Sequence, residues 1–135
     1  MPKAMKISYN ALVEAARREI VEVAPEDVIP EVETGNIVIV DVRDIREIER
    51  DGRIPGSFNC PRGMLEFWID PASPYFKPVF GEPKRFIFHC SLDWRSALAT
   101  YTAQTMGLEN VAHLKGGFKA WKNAGGPVEM PGERL

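Results

Sequence analysis

The residues with the clearest potential for chemistry lie in one short stretch, from Cys90 to Ser96. This stretch follows the apolar run Phe86-Ile87-Phe88 and precedes a segment of helical spacing, Ala97 to Met106. A cysteine between a buried strand and a helix lies near free backbone amides and the positive end of the helix dipole, which favour a thiolate. Arg95, separated from Cys90 by four residues, would add a positive charge to the same loop. The stretch therefore predicts a nucleophilic thiolate in an anion-binding loop; the alternative is a buried thiol with a structural role.

Three apolar runs predict the strands that position this loop. They are Ile37-Val38-Ile39-Val40, Phe86-Ile87-Phe88 and the shorter Val111-Ala112-His113-Leu114. Continuous apolar runs of this kind suit strands that are covered on both faces, as in a parallel sheet. Helical patterns separate the runs along the chain. The order of elements therefore predicts a three-layer α/β fold, a mainly parallel sheet flanked by helices on both faces.

Four segments have helical patterns. One of them lies in the long connection between the first two predicted strands. The other residues of that connection are rich in glycine and proline, which predicts loops. The predicted helices are Tyr9 to Val21 with Ser8 or Asn10 as its cap, Pro25 to about Gly35, Met64 to Trp68, and Ala97 to Met106 ended by Gly107. Pro30 should shorten or kink the second of these helices, since proline lacks the amide hydrogen. We expect residues 1–24 to form an N-terminal helical extension that packs on a single domain over residues 25–135.

Composition narrows the classes of partner. The chain has 135 residues, 44% of them hydrophobic, enough for one core without metal or disulfide support. Its 17 basic and 19 acidic residues give a net charge of -2, which argues against a nucleic-acid partner. The absence of a long apolar run or a signal-peptide pattern predicts a cytoplasmic protein with no membrane partner. Cys60 and Cys90 are not spaced as metal ligands, so we expect separate thiols and no bound metal.

Four ordered motifs resemble those of the single-domain rhodanese family. They are Asp41-Val42-Arg43, Gly52-Arg53-Ile54-Pro55-Gly56-Ser57, the stretch Cys90 to Ser96, and Gly116-Gly117-Phe118-Lys119-Ala120-Trp121 followed by Gly125-Gly126-Pro127-Val128. Each motif alone would be weak, because short glycine-containing patterns occur by chance. Together and in this order they span nearly the whole chain.

The resemblance implies a rhodanese-like domain and a sulfurtransferase. Cys90 would take sulfane sulfur from thiosulfate, glutathione persulfide or a protein persulfide, hold it as a persulfide, and pass it to a thiol or cyanide acceptor. Neither a metal nor an organic cofactor is implied. The substrate would be bound by the loop, residues Ser91, Leu92, Asp93, Trp94, Arg95 and Ser96, and we also assign Arg43, Arg62 and Trp68 to the pocket. An internal ion pair with Asp41 is the alternative for Arg43, and core packing is the alternative for Trp68.

Two other functions stay open. Family members that transfer sulfur have four residues between the cysteine and the arginine, as here, whereas the related phosphatases have five. His89 before Cys90 nevertheless keeps a phosphatase or arsenate reductase as a minor alternative. Asp93 would repel an anionic donor if it pointed into the loop, and Trp94 would suit contact with a protein, so a noncatalytic interaction module is the second alternative.

Overall fold

The computed structural model describes residues 2–132, so residue 1 and residues 133–135 of the predicted domain ranges lie outside the described part. Six α-helices and five strands are present among these residues. The helices are α1 (Tyr9–Glu19), α2 (Pro25–Val28), α3 (Ile45–Asp51), α4 (Leu65–Ile69), α5 (Trp94–Met106) and α6 (Gly117–Asn123). The strands are β1 (Val21–Val23), β2 (Ile37–Asp41), β3 (Phe58–Asn59), β4 (Arg85–His89) and β5 (Val111–Leu114). Within residues 2–132, none of the helices has the length and apolar character that a bilayer crossing requires.

The strands form one parallel sheet in the order β1-β5-β4-β2-β3. β4 therefore lies in the centre, hydrogen-bonded to β2 on one side and to β5 on the other. This confirms the predicted α/β class with a parallel sheet. The chain leaves β4 at His89 and enters α5 at Trp94, so Cys90 lies at the carboxyl end of the central strand. Open parallel sheets bind their ligands at this edge, where the strand order reverses.

Buried side chains on the two faces of the sheet form two cores, as a three-layer fold requires. One core packs Val40, Phe86 and Phe88 against α4 and α5, and its members include both cysteines. The other packs Ile39, Ile87 and Ala112 against α2 and α6, and it contains the fully buried Trp121. α1 lies against α5 on the outside of the first layer. The loop after β4 is thus supported from both faces of the sheet.

The structure corrects three predicted elements. The first helix ends at Glu19 rather than Val21, because Ile20 is extended and Val21–Val23 pairs with β5 as an edge strand. The second helix is only Pro25–Val28 with a 3₁₀ turn over Ile29–Glu31, consistent with the expected effect of Pro30. The connection predicted as loops contains α3, which Asp44 begins as an N-cap with a reciprocal contact from Glu47. The Ser8 cap of α1 is confirmed, since its side chain accepts from the amide of Ala11.

Candidate active site

Cys90 lies in a tightly held loop with only 1% of its surface exposed. Its Sγ is 3.6 Å from the hydroxyl of Ser96, and its carbonyl accepts a hydrogen bond of 2.8 Å from the amide of Phe118. The first turn of α6 supports the loop closely at Gly117, where a Cβ atom would lie 2.0 Å from the carbonyl oxygen of Leu92. Gly117 also has a φ of +63°, which L side chains rarely adopt. The double-glycine motif therefore shapes the loop that holds Cys90.

Arg95 is held by a carboxylate from α3. Its Nη1 and Nη2 donate to the two oxygens of Glu47 at 2.7 and 2.9 Å, and the Ser91 hydroxyl donates to the same carboxylate at 3.1 Å. Arg95 lowers the pKa of Glu47 from its usual 4.5 to about 2. In turn Glu47 raises the pKa of Arg95, and the nearby Cys90 adds to that effect. Glu47 thus connects both ends of the loop to α3.

The Glu47 contacts predict a pH-dependent contribution to stability. Because the pKa of Glu47 is depressed in the folded protein, its contribution is complete above pH 4.5 and is lost as the pH falls toward 2. We expect Glu47→Gln to lower the urea midpoint at neutral pH, and the difference from wild type to shrink across that window. Glu49→Gln, an exposed carboxylate on the same helix, is the control. A difference that stays constant from neutral pH down to 2 would contradict the ion pair.

The remaining loop side chains point away from Cys90 or border the loop. Asp93 faces Arg17 of α1 at 3.8 Å, a contact that the sequence does not predict. Trp94 is half exposed and packs on Tyr9, with ring centroids 4.8 Å apart. Leu92 is half exposed as well. The segment before residue 24 therefore contacts two of the predicted loop residues.

The three pocket residues outside the loop all make contacts of their own. Arg43 is fully buried, donates to both oxygens of Asp41 and to the carbonyl of Gly52, and lies over the Phe118 ring. The internal ion pair, proposed as the alternative, is therefore the arrangement found, and burial corrects the assignment of Arg43 to the pocket.

Arg62 and Trp68 also have partners elsewhere. Arg62 donates to Glu66 and to the hydroxyl of Thr102. Trp68 packs edge-on against Phe58, and the amine of Lys77 lies 4.7 Å from its ring centroid. The contacts of Trp68 match the core-packing alternative, and Arg62 forms a local ion pair with Glu66.

His89, on which the phosphatase alternative depended, and the second cysteine, Cys60, are both buried. His89 stacks on Phe118 with centroids 6.1 Å apart, and its Nδ1 lies 3.3 Å from the carbonyl oxygen of Cys90. Cys60 is a free thiol, and burial raises its pKa to about 12. Very little Cys60 is therefore a thiolate at neutral pH, whereas Cys90 has a hydroxyl and a guanidinium nearby.

Four residues near the loop were missed by the sequence prediction: Arg17, Glu22, Glu47 and His113. Ser96 lies 3.1 Å from Nδ1 of His113, and Nε2 of His113 lies 2.8 Å from Glu22. Arg17 pairs with both Glu22 and Asp93. The spacing Asp44-x-x-Glu47 is a capping-box pattern that would have predicted α3, but local patterns do not predict the other contacts.

A family model for the rhodanese-like domain matches residues 24–124. The chain belongs to the rhodanese-like domain family. This confirms the resemblance drawn from the four motifs, and it places Cys90 and its loop well inside the matched region. Arg17 and Glu22 precede it.

Three relatives show the range of this family. A mouse protein, thiosulfate sulfurtransferase/rhodanese-like domain-containing protein 3, is 33% identical over 91 residues, which are 64% of this chain and 58% of the mouse protein. A solved structure from Rhodopseudomonas palustris, a protein of unknown function described as a possible tyrosine phosphatase, is 54% identical, with a TM-score of 0.91 over 96% of this chain and 99% of that chain. A thiosulfate sulfurtransferase from Pseudomonas aeruginosa is 30% identical, with a TM-score of 0.72 over 91% of this chain and 22% of that chain.

Proposed function

We propose that this rhodanese-like protein is a sulfurtransferase in which Cys90 carries sulfane sulfur as a persulfide. The observation that carries the proposal is a thiol at the carboxyl end of the central strand, in a loop that places four residues between Cys90 and Arg95. The sulfurtransferase relative from Pseudomonas aeruginosa supports the same chemistry.

The reaction has two displacements. The Cys90 thiolate attacks the outer sulfur of thiosulfate, glutathione persulfide or a protein persulfide, and sulfite or the donor's thiolate leaves. A thiol or cyanide acceptor then attacks the outer sulfur of the persulfide and restores the Cys90 thiolate. Backbone amides between Ser91 and Ser96 would stabilise the negative charge on each sulfur, and the Glu47–Arg95 ion pair would hold the loop in place. Leu92 and Trp94 would border the approach of the donor.

The contact between Asp93 and Arg17 bears on the donor. Asp93 is turned toward a cation on α1, so its charge is partly neutralised at 3.8 Å. An anionic donor would therefore meet less repulsion than an unpaired carboxylate in the loop would cause. We include thiosulfate among the donors for this reason. The proposed setting is the cytoplasm, where acceptor thiols are kept reduced, and residues 1–24 are proposed to act as an extension of the domain.

A phosphatase is the second candidate, because the Rhodopseudomonas palustris relative is described as a possible tyrosine phosphatase. A phosphatase would need the guanidinium group of Arg95 to donate to the phosphate dianion. Here both terminal nitrogens of Arg95 are occupied by the Glu47 carboxylate, which also places a negative charge beside the loop. The four residues between Cys90 and Arg95 are the feature that favours sulfur over a phosphate group.

Steady-state assays separate the two candidates. With each donor in turn, and cyanide or a thiol as the acceptor, we expect sulfur transfer with ping-pong kinetics that Cys90→Ser loses entirely. Cys60→Ala is the matched control and should keep most of the activity, because Cys60 takes part in none of the loop contacts described above. Hydrolysis of an aryl phosphate that Cys90→Ser abolishes, without transfer from any donor, would support the phosphatase instead.

A further inference from the structure

A hydrogen-bonded chain runs from Cys90 to the edge strand β1. The Sγ of Cys90 is 3.6 Å from Oγ of Ser96, which is 3.1 Å from Nδ1 of His113. On the far side of the ring, Nε2 of His113 is 2.8 Å from the carboxylate of Glu22. Glu22 and His113 are register partners on neighbouring strands, so their side chains lie on the same face of the sheet.

The chemistry of the four groups sets the direction in which these hydrogen bonds are donated. A carboxylate has no hydrogen to donate, so Nε2 of His113 carries the hydrogen that Glu22 accepts. Nδ1 of the neutral ring is then an acceptor, and the Ser96 hydroxyl donates to it at 3.1 Å, a shorter distance than the 3.3 Å to its other acceptor, the carbonyl of Asp93. Ser96 can accept from the thiol of Cys90 at the same time. Each hydrogen thus points from Cys90 toward Glu22, which is the arrangement that passes a proton away from a nucleophile.

Charged groups surround His113 on three sides. Glu22 faces it from β1, and Arg17 of α1 and Asp93 of the loop lie beside that pair. Burial lowers the pKa of His113, and the Glu22 carboxylate offsets part of that effect by favouring the imidazolium. The ring is therefore neutral at rest, ready to accept a proton, and has a carboxylate in place to stabilise the charge that results.

We propose that His113 accepts the proton of Cys90 through Ser96, with Glu22 orienting and stabilising the ring. The thiol proton moves to Oγ of Ser96 while the Ser96 proton moves to Nδ1 of His113, which leaves a thiolate and an imidazolium. The number of protons and the net charge are unchanged by this exchange. His113 and Glu22 are positioning residues, since they act on the sulfur only through Ser96. The inference rests on the proposed function only in taking Cys90 as the nucleophile.

Two of the contributing residues lie outside the matched family region. Glu22 and Arg17 precede residue 24, where the family model begins. Glu22 reaches His113 because β1 pairs with β5, and Arg17 of α1, which packs against α5, lies 3.2 Å from the Glu22 carboxylate. The segment before the matched region therefore completes the relay, a role beyond packing.

Alkylation of Cys90 by iodoacetamide, followed by mass spectrometry of its peptide, tests the relay without any sulfur donor. At neutral pH we expect His113→Asn and Ser96→Ala to lower the alkylation rate about 10-fold or more, in the range of general-base effects. Glu22→Gln keeps an acceptor for Nε2 but loses the charge, so its rate should lie between these and wild type. At high pH, where the thiol ionises without help, all the rates should converge.

Matched controls separate the relay from general damage to the site. Thr100→Val removes another buried hydroxyl on α5, and Glu14→Gln removes another carboxylate beside Arg17. Both should follow the wild-type pH profile.

Equal profiles for all variants, or a rate offset that persists at high pH, would overturn the relay. If His113→Asn fails to fold, Ser96→Ala and Glu22→Gln decide the question. Alkylation needs no sulfur donor. If the alkylation rates support the relay but the protein transfers no sulfur, only the proposed function is rejected.

Discussion

Replacing Gly117 with alanine is expected to lower the rate of sulfur loading on Cys90 by about 100-fold, the size of effect that follows when reacting groups move by about 1 Å. The new Cβ would lie 2.0 Å from the carbonyl oxygen of Leu92 and 2.6 Å from that of Cys90, both backbone atoms of the loop. Backbone cannot rotate out of the way as a flexible side chain can. The loop must therefore shift, and Cys90 shifts with it.

Gly125→Ala is the matched control for this experiment. Gly125 follows α6 and has a φ of +81°, similar to that of Gly117, but a Cβ atom there would meet nothing within 4 Å. We expect Gly125→Ala to lower the free energy of unfolding by about 1–2 kcal/mol, because alanine disfavours the left-handed conformation, and to have little effect on the rate of sulfur loading. The measurement is the rate of persulfide formation under single-turnover conditions. Equal rates for the two alanine variants would show that Gly117 does not shape the loop.

Replacing Arg43 with methionine is expected to lower the free energy of unfolding by about 3–5 kcal/mol, the usual effect of leaving one partner of a buried ion pair uncompensated. Asp41 and Arg43 are both fully buried, and their closest oxygen and nitrogen are 2.8 Å apart. Burial alone would raise the pKa of Asp41, but His89 and Arg43 together hold it below its usual value. Removing Arg43 leaves a charged carboxylate inside the protein.

Urea unfolding at neutral pH measures this effect. The control is Arg50→Met, which breaks an exposed ion pair with Asp51 at the same distance of 2.8 Å. Exposed pairs of this kind contribute about 0–1 kcal/mol. If Arg43→Met lowers the free energy of unfolding by less than about 1 kcal/mol, the buried Asp41–Arg43 pair does not stabilise the fold as expected. Methionine keeps most of the side-chain volume, so a cavity cannot account for the difference.

Local sequence was sufficient for the elements that position Cys90. The runs at residues 37–40, 86–88 and 111–114 form strands as expected, because a continuous apolar run suits a strand buried on both faces. The first helix was predicted too long, since Val21 continues its apolar spacing while pairing with β5 takes it into the sheet. Such pairing depends on residues about ninety positions later and leaves no local pattern.

The surroundings of Cys90 were predicted less well than its position. Glu47 and Arg95 are 48 positions apart in the chain, and Glu22 and His113 are 91 apart. Contacts of this length follow from strand order, which periodicity does not specify. Arg43 was assigned to the pocket, but in the structure its side chain binds Asp41 and the carbonyl of Gly52. The motifs predicted the family, which the family model confirms, but they did not predict where the Arg43 side chain points.

Mass spectrometry of the protein after incubation with thiosulfate, and separately with glutathione persulfide, tests the central claim most directly. We predict an added mass of one sulfur atom, located on the Cys90 peptide, removed by excess thiol or cyanide, and absent in Cys90→Ser. Cys60→Ala should load as wild type does. No added sulfur from either donor, or sulfur that remains in Cys90→Ser, would contradict the account.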